Sequence, residues 1–307
     1  MRTAFVDALI EAAEADPEIW LINADLGFSV LERFAQRFPD RYLNVGVAEQ
    51  NMIGVAAGLA LSGFKVFVYS IGNFPTQRCL EQLRVDVCYH DAAVVVAAVG
   101  GGFAYGTQGY THHAIEDLAV MRALPGMRVA APADPHETRA FVREFVRHPG
   151  PAYLRLGKGG EPVLHPRPLD AAPVRPVLMR PGTDVVLLAS GAILAEVLEA
   201  AGQLEQQGVS ARVASVPMLK PLAEAALLQL VGGTRLIVTI EEHSLIGGLR
   251  DAVAPLLAGR RNSARLVGFG VGDGATRGIA GGQAAMRAHC GLDSASLCAA
   301  ILTALAE

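Results

Sequence analysis

The stretch NVGVAEQNMIGVAAGLALSGFKVFVYS, Asn44 to Ser70, passes from a helical pattern into a strand and carries a carboxylate where the helix begins. Between Val47 and Phe64 nearly every side chain is small or apolar, the composition of a closely packed buried helix, and Lys65 to Tyr69 follows as an apolar strand. Glu49 and Gln50 stand at the start of that helix. A carboxylate taken out of water without a partner is costly and tends to pick up a proton, so such a residue has a bound partner or a chemical task. A first-turn Glu that faces solvent and complements the helix dipole is the plainer alternative.

Working outward, an amphipathic helix over Thr3 to Asp16 leads to a strand at Ile19 to Asn23, which ends in Ala24-Asp25-Leu26-Gly27. A helical pattern covers Gln77 to Cys88. Ala92 to Val99 is continuously apolar, as expected of a parallel strand covered on both faces. A helix near Ala114 to Leu124, a strand at Met127 to Ala131, a helix at Pro135 to Arg147 and a strand at Ala152 to Leu156 complete one unit. Prolines without periodicity then predict an extended linker at 161–181. A second alternation follows: strands at Asp184 to Ala189, Ser210 to Ser215, Leu236 to Glu241 and Arg265 to Gly268, with helices at Ala192 to Gln207, Leu222 to Val231, Gly247 to Leu257 and Ser294 to Leu305. The expected fold class is α/β, with two doubly wound domains of mostly parallel sheet at 1–160 and 182–307.

The chain has 307 residues, 51% hydrophobic and 18% charged with 33 Gly, which suits small-residue α/β packing and excludes disorder. A net charge of -4 with no basic run argues against nucleic acid or an anionic membrane as partner. Cys79, Cys88, Cys290 and Cys298 form no CxxC pair, so neither a zinc site nor a disulfide framework is expected. The N-terminus alternates charges with apolar residues, unlike a secretory leader, and no uncharged apolar run approaches the length of a membrane span; a cytoplasmic protein is expected.

Five segments together carry a family resemblance: Asn23-Ala-Asp-Leu26, Val45-Gly-Val-Ala-Glu-Gln50, Gly109-Tyr-Thr-His112 with Glu116, Leu219-Lys-Pro-Leu222 and Glu241-Glu-His-Ser244. In order and spacing they resemble transketolase-like thiamine-diphosphate enzymes across nearly the whole chain, as if the N-terminal third to half were missing. The implied domains are a pyrimidine-binding domain and a transketolase C-terminal domain. In that family the Glu matching Glu49 hydrogen-bonds the pyrimidine N1′ and favours the imino tautomer, whose exocyclic nitrogen deprotonates the thiazolium C2 to give the ylid. The resemblance implies a catalytic Glu49 held protonated by an apolar wall. Phe74 takes the place of the aromatic ring against the aminopyrimidine, with an ordinary core Phe as the other reading, and Asp25 joins them as cofactor-facing. His112 matches a substrate-facing histidine that shuttles protons on hydroxyl oxygens; His113 replaces a Gln and is a second substrate candidate.

Two departures bear on substrate. Gln108 stands where transketolases carry an acid that contacts a sugar hydroxyl, and Gly100 stands near a histidine that binds acceptor phosphate. Lys158 lies near a phosphate-binding arginine of relatives, so it is either an anion ligand or a solvated lysine. Gly272-Asp-Gly274 lacks the Asn that follows it some 25 to 30 residues on in the Mg²⁺-diphosphate motif, and the last Asn is Asn262, so it reads as structural and no metal ligand is assigned. Gly100-Gly-Gly102 lacks the strand, turn and helix of a dinucleotide fingerprint. The expectation is the C-terminal subunit of a split transketolase-like transferase of carbohydrate metabolism, which moves a two-carbon ketol unit from a ketose-type donor. A separate subunit would supply Mg²⁺ and the diphosphate site, in an α₂β₂ heterotetramer. A 2-oxo-acid dehydrogenase β subunit, a deoxyxylulose-phosphate-synthase-like enzyme or a non-catalytic assembly subunit are the alternatives.

Overall fold

The computed structural model describes residues 1–258 and 264–307; Asn262 lies outside them. In the first half, strands β1 (Ile19–Asn23), β2 (Tyr42–Asn44), β3 (Lys65–Ile71), β4 (Val94–Val99), β5 (Arg128–Ala130) and β6 (Ala152–Leu156) alternate with helices. These are α1 (Arg2–Ala15), α2 (Glu32–Arg37), α3 (Glu49–Leu61), α4 (Asn73–Thr76), α5 (Leu80–Gln82), α6 (Asp117–Ala123) and α7 (Pro135–Arg147). All six strands run parallel, and β1 pairs Asn23 with Asn44 of β2 and Tyr69 of β3, so their ends lie level. Every residue of β4 is buried, as its unbroken apolar run requires when helices cover both faces. The single helix expected over Gln77 to Cys88 is instead a turn, the short α5 and a π-helical turn at Leu83–Cys88, whose wider winding keeps Leu83, Val87 and Cys88 inside.

The second half contains β7 (Val177–Arg180), β8 (Val185–Ser190), β9 (Ala211–Ser215), β10 (Met218–Lys220), β11 (Leu236–Ser244) and β12 (Arg265–Val271). Its helices are α8 (Leu194–Gln206), α9 (Glu224–Val231), α10 (Leu249–Ala258), α11 (Gln283–His289) and α12 (Ser294–Ala306). The second sheet runs β12-β11-β8-β9-β7, parallel except for β7. Two expectations need correction here. The segment 161–181 is not purely a linker, because β7 lies within it and pairs at the sheet edge, a position where flanking prolines lose no ladder bond. The halves also share a sheet: β10 joins the first one antiparallel to β5, giving the order β10-β5-β6-β4-β3-β1-β2. The apolar segment Gln283 to Ala306 is divided by a turn at Cys290–Asp293 into α11 and α12, each too short to cross a bilayer.

Charged groups lock the seam between the halves. Arg155 donates to Asp117 at 2.8 Å and to the Glu242 carbonyl at 3.0 Å, and Glu242 pairs with Arg287 at 2.6 Å. The Glu242 carboxylate also accepts from Phe103 N at 2.6 Å, so the second half grips the loop that follows β4. Glu241 receives Leu249 N and Arg250 N at the start of α10, while burial lifts its carboxyl to about 7. The Glu241-to-Ser244 motif thus serves assembly of the fold.

Candidate functional site

Parallel strands send the loops that follow them to one edge of the sheet, and that edge is where open α/β sheets bind ligands, near the point where strand order reverses. The order reverses at β1, which the chain leaves for β2 and passes again to reach β3. Asp25 follows β1, Glu49 follows β2, Phe74 follows β3, Gln108, His112 and His113 follow β4, and Lys158 follows β6. All seven sequence-chosen residues therefore sit on this rim, but only three of them converge.

Glu49 opens α3, 6% exposed, where the helix N-terminus favours a negative charge. The wall around it is not wholly apolar. Arg78 Nη1 donates to its Oε1 at 3.2 Å, and the same guanidinium lies over the Phe74 ring, its carbon 4.1 Å from the ring centroid. Phe74 in turn meets the His112 imidazole edge-on, with centroids 5.2 Å apart. Glu49, Phe74 and His112 thus form one cluster, knitted by an arginine that the sequence reading missed. Its signal was the spacing: Phe74 and Arg78 are four residues apart in a helical stretch and can share a face.

His112 is half-buried, and burial first, then the positive charge of Arg78, push its pKa below the ordinary imidazole value. It is therefore neutral near pH 7 and able to accept a proton. Thr111 Oγ1 lies 2.9 Å from its Nδ1. Asn73, immediately before Phe74, donates from Nδ2 to the carbonyls of Thr111 at 3.2 Å and His113 at 2.9 Å. Asn73 gave no motif-level signal, and Thr111 lay inside the Gly109-to-His112 motif with no role assigned to it.

The other residues are placed differently. His113 is wholly buried, its Nε2 3.1 Å from the Gly106 carbonyl and its ring edge-on to Phe103, so it props the loop from within and does not face the open rim. Asp25 is exposed and tied to Asn44, whose side chain receives Asp25 N at 2.9 Å and donates to Asp25 Oδ1 at 3.2 Å. Gln108 is exposed on a 3₁₀ turn four residues before His112. Lys158 is exposed with its Nζ 5.2 Å from the Tyr105 ring centroid. Gly100 has φ +91°, and a side chain there would collide with the Tyr105 ring, which fills the space.

Chemically, the cluster offers a buried carboxylate, an aromatic face and a neutral imidazole. Arg78 shows what the first two can hold: a flat group that donates N–H to Glu49 and stacks on Phe74. An aminopyrimidine has the same shape and needs, so these residues fit the ring half of thiamine diphosphate, and an incoming ring has to displace the guanidinium. Among the described residues no group of three or more His, Cys, Asp or Glu side chains is placed to hold a metal ion.

Known proteins match the chain over both halves. Residues 1–161 match the family described as transketolase, pyrimidine binding domain, and residues 176–297 match transketolase, C-terminal domain. The chain is 35% identical over 299 residues to one of the subunits of the apulose-4-phosphate transketolase of Phocaeicola vulgatus, covering 97% of this chain and 95% of that one. It is 38% identical over 302 residues to 1-deoxy-D-xylulose-5-phosphate synthase of Azoarcus sp., covering 97% of this chain and 47% of that enzyme. A solved structure described as a split gene transketolase, inactive beta4 tetramer, superposes with TM-score 0.89 at 38% identity, covering 99% of this chain and 97% of that one.

Proposed function

Because this chain belongs to the transketolase family, we propose that it is the C-terminal subunit of a split transketolase, moving a two-carbon ketol unit from a ketose donor to an aldehyde acceptor. One observation carries the reading: Glu49 and Phe74 together hold a flat N–H donor, in the arrangement an aminopyrimidine would use. Thiamine diphosphate, when bound, supplies the carbon nucleophile that side chains lack. Glu49 holds the proton at the pyrimidine N1′, and Phe74 offers its face to the ring. His112, neutral and at the edge of that face, takes or returns a proton at a substrate hydroxyl oxygen.

A second polypeptide carries the Mg²⁺ and diphosphate contacts in this proposal. The Phocaeicola relative, itself one subunit of a transketolase, and the neighbour described as an inactive beta4 tetramer support a shared site. The acceptor is an aldehyde other than ribose 5-phosphate, since Tyr105 fills the space at Gly100 and Gln108 replaces an acid. Synthase-type chemistry is the second reading, supported by the 38% identity to the Azoarcus enzyme.

Co-expression with an N-terminal-type partner, followed by assay against ketose phosphates and against pyruvate, tests this proposal. Ketol transfer without CO₂ release is expected. Release of CO₂ from pyruvate without ketol transfer would replace the reading with the second one.

A further inference from the structure

The loop from Gly102 to Ala114 is closed at its base by an antiparallel bridge between those two residues. Above that bridge its backbone bonds are short-range turns, such as Gln108 N to Tyr105 O and His112 N to Gly109 O, both at 2.9 Å, apart from Gly281 N, which donates to the Gly106 carbonyl at 3.3 Å, far from His112 along the loop. Thr107, Gln108, Tyr110 and Thr111 are exposed. Such a segment does not by itself hold an imidazole to a fraction of an ångström. Asn73 supplies the missing restraint. It is 9% exposed, opens the short helix that bears Phe74, and spends both amide hydrogens on the carbonyls on either side of His112. The ring wall and the imidazole are therefore set by two consecutive residues of one element.

We propose that Asn73 is a positioning residue for the reaction: its amide, bridging the carbonyls of Thr111 and His113, fixes where the His112 imidazole stands over the edge of Phe74. This deepens the function proposed above and rests on the role given there to His112. Without the amide, the segment at Thr111 to His113 keeps its turn bonds but loses its register against Phe74. Misplacement by about 1 Å can cost on the order of 10²-fold in turnover. Cofactor affinity should hardly change, because Glu49 and Phe74 remain in place.

The test is a double-mutant cycle on the complex with its partner subunit, using the best donor and acceptor pair found in the substrate panel. Asn73→Ala is expected to lower kcat by roughly 10- to 100-fold, with thiamine diphosphate affinity by calorimetry within about threefold of the parent. In a His112→Ala background it should cost less than about threefold more, because an effect exerted through His112 vanishes with it. Ring-proton NMR of His112 gives a readout apart from activity: its titration should move up towards the ordinary value as the loosened loop gains water. Asn73→Ser, which keeps one donor, should fall between parent and Asn73→Ala and serves if Ala folds poorly. An equal loss in both backgrounds, or none in either, would overturn the inference. Parent turnover in His112→Ala alone would instead overturn the role assigned to His112.

Discussion

Arg78 holds together two groups that any flat ligand must prise apart from it. Its guanidinium is half-exposed while the Glu49 carboxylate is not, so the pair is neither a surface ornament nor a buried bridge. Arg78→Ala leaves that carboxylate with no counter-charge, and we expect a loss of about 1 kcal/mol in urea denaturation at neutral pH. Unchanged stability would show the pair to be idle. Gly102 makes a second residue-scale prediction. Its φ of +66° is unfavourable for a side chain, and one placed there would run into the Glu242 carboxylate. Gly102→Ala should therefore cost about 1–3 kcal/mol, read by the same melts; a variant as stable as the parent would mean the loop relaxes freely. Glu49 and His112 were legible in the sequence because each sits in a motif. His113 misled because adjacency in sequence does not report which of two neighbours turns inward.

At the scale of elements, the segment between the sheets is fastened at His165. The Asp134 carboxylate accepts the backbone N–H groups of Leu164 and His165 at 2.9 and 3.0 Å. Glu137 Oε1 lies 2.9 Å from His165 Nε2 and accepts the Ser215 hydroxyl at 2.8 Å. The hydrogen bond to Glu137 raises the His165 pKa above its ordinary value. A raised folded-state pKa stabilises fully below the unfolded value of about 6.5, and that part is lost as pH rises through the folded value. The stability gap between parent and His165→Gln should thus shrink between pH 6 and pH 8.5 in urea melts; a gap independent of pH would contradict the staple. A proline-rich texture concealed this fastening. Val177 to Arg180 and Met218 to Lys220 are short, lie between prolines, and pair at sheet edges, so neither alternation nor length marks them as strands. The long apolar runs at β4 and β8 were legible because their environment is uniform.

For the whole molecule, the parallel order follows from alternating periodicity, whereas the joining of the halves by β10 and by the Arg155, Glu242 and Arg287 contacts depends on pairings far apart in sequence. The rim around Glu49 leaves apolar side chains uncovered, Phe28 at 72% and Val47 at 76% exposure. A partner surface docked on that rim would cover both. Co-expressed with its partner, the chain should scatter light as an α₂β₂ assembly, and a fully active 1:1 heterodimer would contradict that expectation. The central claim, that Glu49 drives proton chemistry on the cofactor, is tested most directly by NMR exchange of the thiazolium C2 proton in the reconstituted complex, parent against Glu49→Gln. The amide still hydrogen-bonds the ring but cannot trade a proton, so exchange should slow by roughly 10²- to 10⁴-fold, while stability falls by no more than the about 1 kcal/mol of the lost Arg78 pair. Exchange at the parent rate in Glu49→Gln would contradict the account.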